Sequence, residues 1–205
     1  MQIITNQFQK ELKNHGSDHF PFLVSYQCLS EYDSNSFMWH CHPEIEITYV
    51  KEGSMHYRIN NRSFHLKEGD IIFCNSNALH SGEMENQEDC SYIPITFDPK
   101  LIYGFFQSTI CTRYVDPVIQ NLAVCAVHID YSEKWHETFR DRMLEVISLD
   151  KKKGRISMNW IFPFGCSSCG GCLWNTFRIS LYQLLLISQN TNESAGFSPT
   201  SNKII

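Results

Sequence analysis

From Phe20 onward the chain alternates short apolar stretches with turn-forming polar clusters. Phe20-Pro21-Phe22-Leu23-Val24 opens the ordered region, and residues 44–50 mix β-branched with aromatic side chains. Such residues suit a pleated, half-buried surface. Residues 51–54, Lys-Glu-Gly-Ser, read as a turn, and residues 55–59 as the next strand. Asn60-Asn61 supplies a tight hairpin turn, because Asn tolerates positive φ. Residues 63–66 return, residues 67–70 turn again, and Ile71–Cys74 and Ser91–Phe97 add two more strands. Short strands separated by frequent turns indicate an antiparallel sandwich or barrel.

After Asp98-Pro99 the period changes to that of a helix. Residues 100–114 read as one helix stopped before Pro117, and Val127-His128-Ile129 as a last strand. Ser132 is placed as the N-cap of a helix reaching about Leu149. Trp135, Phe139, Met143, Val146 and Ile147 fall on one face of it. A second helix is expected over residues 173–188, with a polar, disordered tail after it. Residues 1–20 are polar and expected to be partly mobile. The division that follows is a β-rich domain over 1–130 with a polar N-terminal arm, a helical segment over 131–190, and a tail over 191–205.

The chemistry concentrates between Trp39 and Gly53, W-H-C-H-P-E-I-E-I-T-Y-V-K-E-G. His40, His42 and Glu46 are spaced by two and four residues. In an extended strand such positions share a face. Thr48 continues that phase, Glu44 is read as pointing outward, and Cys41 as buried behind the sheet. His80 follows in G-D-I-I-F-C-N-S-N-A-L-H. Three imidazoles and a carboxylate suit a divalent transition metal such as Zn, Ni, Fe or Mn. They suit hydrogen bonding to a polar effector equally well. His40, His42, Glu46 and His80 are therefore the candidate metal ligands, and the same four with Thr48 are the candidate ligand-binding set. Tyr26, Trp39 and Phe97 are read as core aromatics rather than ring-stacking partners, and His128 and His136 as structural or surface residues.

The run His-x-His-x3-Glu-x6-Gly, here His40, His42, Glu46 and Gly53, resembles the first cupin motif. In the second motif, Gly-x5-Pro-x-Gly-x2-His-x3-Asn, this chain keeps Gly69 and His80 and places Asn75, Asn77 and Met84 at the other positions. With Leu66-Lys67-Glu68-Gly69-Asp70 and the Asn-rich turn before His80, residues 20–100 resemble the sensor domain of AraC-type transcription regulators. The resemblance implies a mainly β fold: a cupin-type antiparallel β-barrel, or jelly roll, followed by C-terminal helices. It implies effector sensing and homodimerisation rather than catalysis, with DNA contacted only through a helix-turn-helix part expected to lie outside this chain. A metal-dependent cupin enzyme, a dioxygenase or isomerase, is the alternative.

Composition narrows the partners. The chain of 205 residues is 42% hydrophobic and 19% charged, with a net charge of −5. Phosphate binding needs clustered Lys and Arg, and the one compact basic run, Lys151-Lys152-Lys153-Gly154-Arg155, reads as a solvated helix end. No secretory leader and no membrane span are legible, so the nine cysteines are expected as reduced thiols in a cytoplasm. Cys166, Cys169 and Cys172 have a Cys-x2-Cys-x2-Cys spacing but lack a neighbouring fourth ligand, and are read as free thiols in a loop. No nucleophile elbow, phosphate loop or dinucleotide glycine pattern is present, so no catalytic residue is assigned.

Overall fold

The computed structural model describes residues 1–153. Ten strands account for the architecture: β1 (Phe22–Val24), β2 (Gln27–Cys28), β3 (Ser36–His40), β4 (Ile45–Glu52), β5 (Ser54–Ile59), β6 (Arg62–Lys67), β7 (Ile71–Cys74), β8 (His80–Met84), β9 (Ser91–Phe97) and β10 (Ala126–Ile129). One sheet has the order β1-β9-β4-β7-β10, with β2 also on β9; the other has the order β3-β8-β5-β6. All the ladders are antiparallel. The two sheets face each other as a jelly roll, and no hydrogen-bonded ladder closes one onto the other.

The period-two rule explains the layering. Along β4 and β9, Ile45, Ile47, Ile93, Ile95 and Phe97 point to one side and join a core with Phe139, Met143, Val146 and Ile147. Val50 and Tyr92 point to the other side and pack against Met55, Tyr57 and Leu66 of the smaller sheet. The larger sheet is thus covered on both faces. On the interior side of β4, Glu46 and Thr48 precede Val50, and all three are buried.

Two turn residues are fixed by backbone geometry. Gly53, at φ +81°, joins β4 to β5, and a Cβ there would run into the Asp89 carbonyl oxygen. Asn77 sits at φ +58° in the turn before His80, so it occupies a left-handed conformation where the resembling motif carries glycine. Its neighbour Asn75 donates through Nδ2 to the carbonyls of Val118 and Val124, both at 2.8 Å.

The helical expectations need three corrections. Residues 100–114 do not form one helix: α1 (Lys100–Tyr103) ends at Gly104, at φ +76°, and a π-helical turn over Cys111–Val115 leads into α2 (Asp116–Ile119). Pro117 does not stop that helix but lies in its first turn, where its missing N–H costs nothing. Ser132 spends its hydroxyl on Asp130, which also accepts from the Ser132 N–H and meets His136 Nδ1 at 3.0 Å. The long helix α3 (Lys134–Lys153) follows. Among the described residues no helix is long and apolar enough to cross a membrane. All six cysteines described there are free thiols. The expected helix over 173–188, the tail and the Cys166, Cys169 and Cys172 group lie outside the described residues.

The first twenty residues are a further correction. Asn6 Oδ1 accepts from the N–H groups of Phe8 and Lys10 at 2.9 and 3.1 Å and closes a small turn. The arm then docks on the exit of β3, with the Glu11 N–H donating to the Cys41 carbonyl and the Cys41 N–H to the Gln9 carbonyl, both at 2.9 Å. Cys41 is therefore half-buried beneath the arm rather than behind the sheet.

Candidate functional site

The three motif histidines converge, but not along one strand. His40 ends β3, His42 lies in the bend after it, and Glu46 belongs to β4 in the opposite sheet. A bulge between Phe37 and His40 shifts the β3–β8 register, so that His40 pairs with His80. The side-chain phase is reset at that bulge and again at the bend. Convergence comes from two sheets meeting at their ends.

Ring centroids lie 4.1 Å apart for His40 and His80, 5.2 Å for His42 and His80, and 5.9 Å for His40 and His42. Each ring turns Nδ1 to a backbone carbonyl: His40 to Met38 at 2.9 Å, His42 to Glu44 at 3.2 Å and His80 to Ala78 at 2.9 Å. A carbonyl only accepts, so Nδ1 carries the proton and Nε2 presents its lone pair inward. The Nε2 atoms of His42 and His80 are buried with no hydrogen-bond partner. One ligand nitrogen from each of the three rings fits within a 4.8 Å span. Second-partner bonds of this kind orient imidazoles in metal sites.

Glu46 completes the set through one oxygen. Its Oε1 accepts from Thr48 Oγ1 at 2.8 Å and from Tyr57 Oη at 2.7 Å. Its Oε2 is left facing the rings, 3.4 Å from His42 Nε2 and 3.9 Å from His80 Nε2. Thr48 therefore supports the carboxylate rather than standing beside it as an independent contact. Burial pushes His40 down, and burial with the neighbouring His40 brings His80 down to about 3. Burial also disfavours charge on His42 and Glu46, but their mutual attraction outweighs it, helped by Glu11 and Glu44 for His42 and by His80 and His40 for Glu46, raising His42 and holding Glu46 well below the usual carboxylate range.

The arm adds two residues that the motif search missed. Glu11 Oε2 lies 3.0 Å from His15 Nε2 and 3.9 Å from His40 Nε2, and His15 Nδ1 meets Thr96 Oγ1 at 2.9 Å. The His15 ring lies 4.5 Å from that of His42. Burial works against a charge on Glu11, and the hydrogen bond from His15 together with attraction to His15, His40 and His42 more than offsets it. The signal available was the four-residue spacing of an acid and a histidine within an otherwise polar segment.

Other expected positions divide. Glu44 does not point away: it is half-buried with Oε2 3.5 Å from His42 Nδ1, because it sits in the bend where strand phase does not apply. Phe97 is core. Trp39 lies under the Arg58 guanidinium at 5.6 Å, and Tyr26 is 44% exposed, with its hydroxyl on Asp150. His136 is buried against Asp130, and half-buried His128 pairs with Asp70 at 3.1 Å.

A cavity of about 330 Å³ lies between the arm and the sheets. Ile3, Leu12, Phe37, Tyr92 and Pro94 give it apolar walls, and His40, Glu46, Glu11, His15 and Thr96 give it a polar side.

Residues 25–129 match the model of a family described as AraC-like ligand binding domain. The chain is 24% identical over 152 residues to an uncharacterized HTH-type transcriptional regulator, YdeC, of Bacillus subtilis, covering 74% of this chain and 51% of the relative. It thus spans about half the length of that relative. Among solved structures, a predicted oxalate decarboxylase from Thermotoga maritima is 26% identical over 37% of this chain and 64% of its own, with a TM-score of 0.34. A cupin 2 conserved barrel domain protein from Salinispora arenicola is 19% identical over 38% of this chain and 64% of its own, with a TM-score of 0.35.

Proposed function

The chain belongs to the family of AraC-like ligand binding domains, and on that premise we propose that residues 1–130 sense a small-molecule effector for a cytoplasmic transcription regulator. The observation that carries this reading is the cavity of about 330 Å³ whose polar side includes His40 and Glu46. Ligand pockets start at about that size, so the effector is small. Its apolar part would meet Phe37, Tyr92 and Pro94, and its polar end would meet the His40 and Glu46 side. The arm forms part of the wall, so occupancy would bias how Glu11 and His15 dock, and through them the strand ends.

A divalent transition ion fits the donor set on one observation, the two buried Nε2 atoms of His42 and His80 with no hydrogen-bond partner. His40, His42 and His80 through Nε2 and Glu46 through Oε2 would hold it, and it would supply a Lewis-acidic anchor for an oxygen or nitrogen donor of the effector. The same four donors favour the second reading, a metal-dependent dioxygenase or isomerase. The HTH-type relative weighs toward the regulator. Oxygen uptake or substrate turnover by the metal-loaded chain would reverse that order.

The test has two arms. Small metal-binding organic molecules, screened by thermal shift on the zinc-loaded chain, should give at least one that raises the midpoint, and Ser25→Trp, which fills the cavity wall, should abolish the rise. In a gel-shift assay the 205-residue chain should not retard duplex DNA, whereas the longest reading frame containing it should do so with effector dependence. Salt-resistant DNA binding by the short chain, or a screen in which Ser25→Trp changes nothing, would count against the reading.

Residues 131–190 are proposed as the dimerisation segment. The described part of α3 spends Phe139, Met143, Val146 and Ile147 on its own core and leaves Leu144 38% exposed, so much of the interface would come from beyond it. Light scattering at high micromolar concentration should return twice the chain mass; a monomer there would remove homodimerisation from the proposal.

A further inference from the structure

The outer face of the smaller sheet carries a second constellation, remote from the interior histidines. His56 on β5 and His65 on β6 are direct register partners, so their side chains leave the same face side by side. Their ring centroids are 5.8 Å apart. On the other flank of β5, Met55 pairs with Met84, which brings Glu85, the next residue, opposite Ser54. Ser54 Oγ donates to Glu85 Oε2 at 3.0 Å. His65 Nδ1 lies 2.8 Å from Glu85 Oε2, and His56 Nε2 lies 3.4 Å from Oε1. One donor atom from each residue falls within a 4.8 Å span.

We propose that His56, His65 and Glu85 form a surface binding site for a borderline divalent cation, zinc or copper. Three features support it. The donors are two imidazoles and a carboxylate, a set suited to such ions rather than to calcium or magnesium. Their backbones are held in place: Met55, Tyr57 and Leu66, which alternate with them on the same strands, are fully buried in the core. The neighbouring cation is already committed, since Arg58 donates to Glu83 at 2.7 Å. Among the described residues, the ion pairs of Glu85 are with these two histidines.

Binding needs no reaction partner. His65 would ligate through Nδ1 and carry its ring proton on Nε2, and His56 would ligate through Nε2 with its proton on Nδ1. Glu85 would give a carboxylate oxygen while keeping the Ser54 bond. The side chains of His56 and His65 are 44% and 53% exposed and that of Glu85 18%. The remaining coordination positions therefore open outward to water or to a donor from another molecule.

The experiment is equilibrium dialysis of the 205-residue chain against zinc, followed by elemental analysis, on wild type, His65→Gln, Glu85→Gln and the interior variant His42→Ala. Wild type should hold one zinc equivalent more than His65→Gln or Glu85→Gln, whatever the interior set binds. His42→Ala should keep that equivalent, which separates this site from the interior reading. Copper(II) loaded on His42→Ala should show nitrogen couplings in electron paramagnetic resonance that are lost with His65→Gln. His65 is a solvent-exposed strand residue, so its variant should fold with an unchanged circular dichroism spectrum. Equal zinc content in wild type, His65→Gln and Glu85→Gln would reduce the trio to an ion pair only and overturn the proposal.

Discussion

Stripped of metal, the protein should lose folding stability steadily as the pH falls from about 6.5 toward 3. His80 drives the change. Burial and the adjacent His40 bring its pKa from 6.5 to about 3 in the folded state. Within that window the unfolded chain takes up a proton that the folded protein refuses. Stability therefore rises with pH across it and is lost on acidification. A displacement of this size is worth roughly 5 kcal/mol at the acid end, against total stabilities of about 5–15 kcal/mol for domains generally. His40, also lowered by burial, acts in the same direction. Glu46 and Glu11 add to it at lower pH: both carboxyls are held down when folded, so their stabilisation is present above the ordinary carboxyl pKa and fades as pH falls through the folded value. His42 has the opposite sign. Its raised pKa gives stability that is complete below 6.5 and is lost as the pH rises through the folded value. The metal-free protein should thus be most stable near neutrality. Urea titrations in chelator at pH 7, 5.5 and 4.5 check this, and an isosteric His80→Leu variant should flatten the dependence. An unchanged midpoint across the three pH values would mean that His80 is not buried as a neutral ring.

The strands were legible in the sequence because their signals are local. Asn60 at φ +51° and Gly53 at φ +81° turn the chain where composition places turns, and β4, β7 and β9 follow their apolar runs. The site was legible as a set of residues but not for the stated reason. Strand phase assigns His40, His42 and Glu46 to one face, yet the bulge after Phe37 and the bend after His40 divide them between two sheets. A bulge adds one residue without changing composition, so alternation alone does not reveal it. Glu11 and His15 escaped because their partners, Thr96, His40 and His42, lie far along the chain. Nothing in a polar segment marks it as a wall of a cavity. The helix break at Gly104 was missed because apolar spacing continues past it; the left-handed backbone there ends the helix regardless.

His42→Ala and Glu46→Gln should each remove the proposed interior metal site, and together they separate a metal role from a structural one. The assay is best run on the His65→Gln background, so that only the interior position is read. With zinc at about 100 times its dissociation constant, a bound ion stabilises the fold by about 2.7 kcal/mol. For a chain of this size that corresponds to a rise of roughly 5–10 °C in midpoint. Both variants should lose that rise and the matching zinc equivalent. Without metal they should diverge. His42→Ala removes a buried ring that packs against His15 at 4.5 Å and His80 at 5.2 Å, leaving a cavity and a Glu46 carboxylate without its nearest imidazole. It should cost about 2–4 kcal/mol. Glu46→Gln is nearly isosteric. Its amide oxygen can still accept from Thr48 and Tyr57, and its amide N–H groups can donate to the Nε2 lone pairs of His42 and His80. The metal-free Glu46→Gln protein should therefore lose less stability than His42→Ala, giving up only what the ionised carboxylate contributes. A variant that keeps most of its apo stability and loses the whole zinc-dependent rise identifies Glu46 as a ligand. Equal zinc shifts in wild type and Glu46→Gln would make the cluster a hydrogen-bonded wall of the cavity, and the effector would then have to be bound by those polar groups directly.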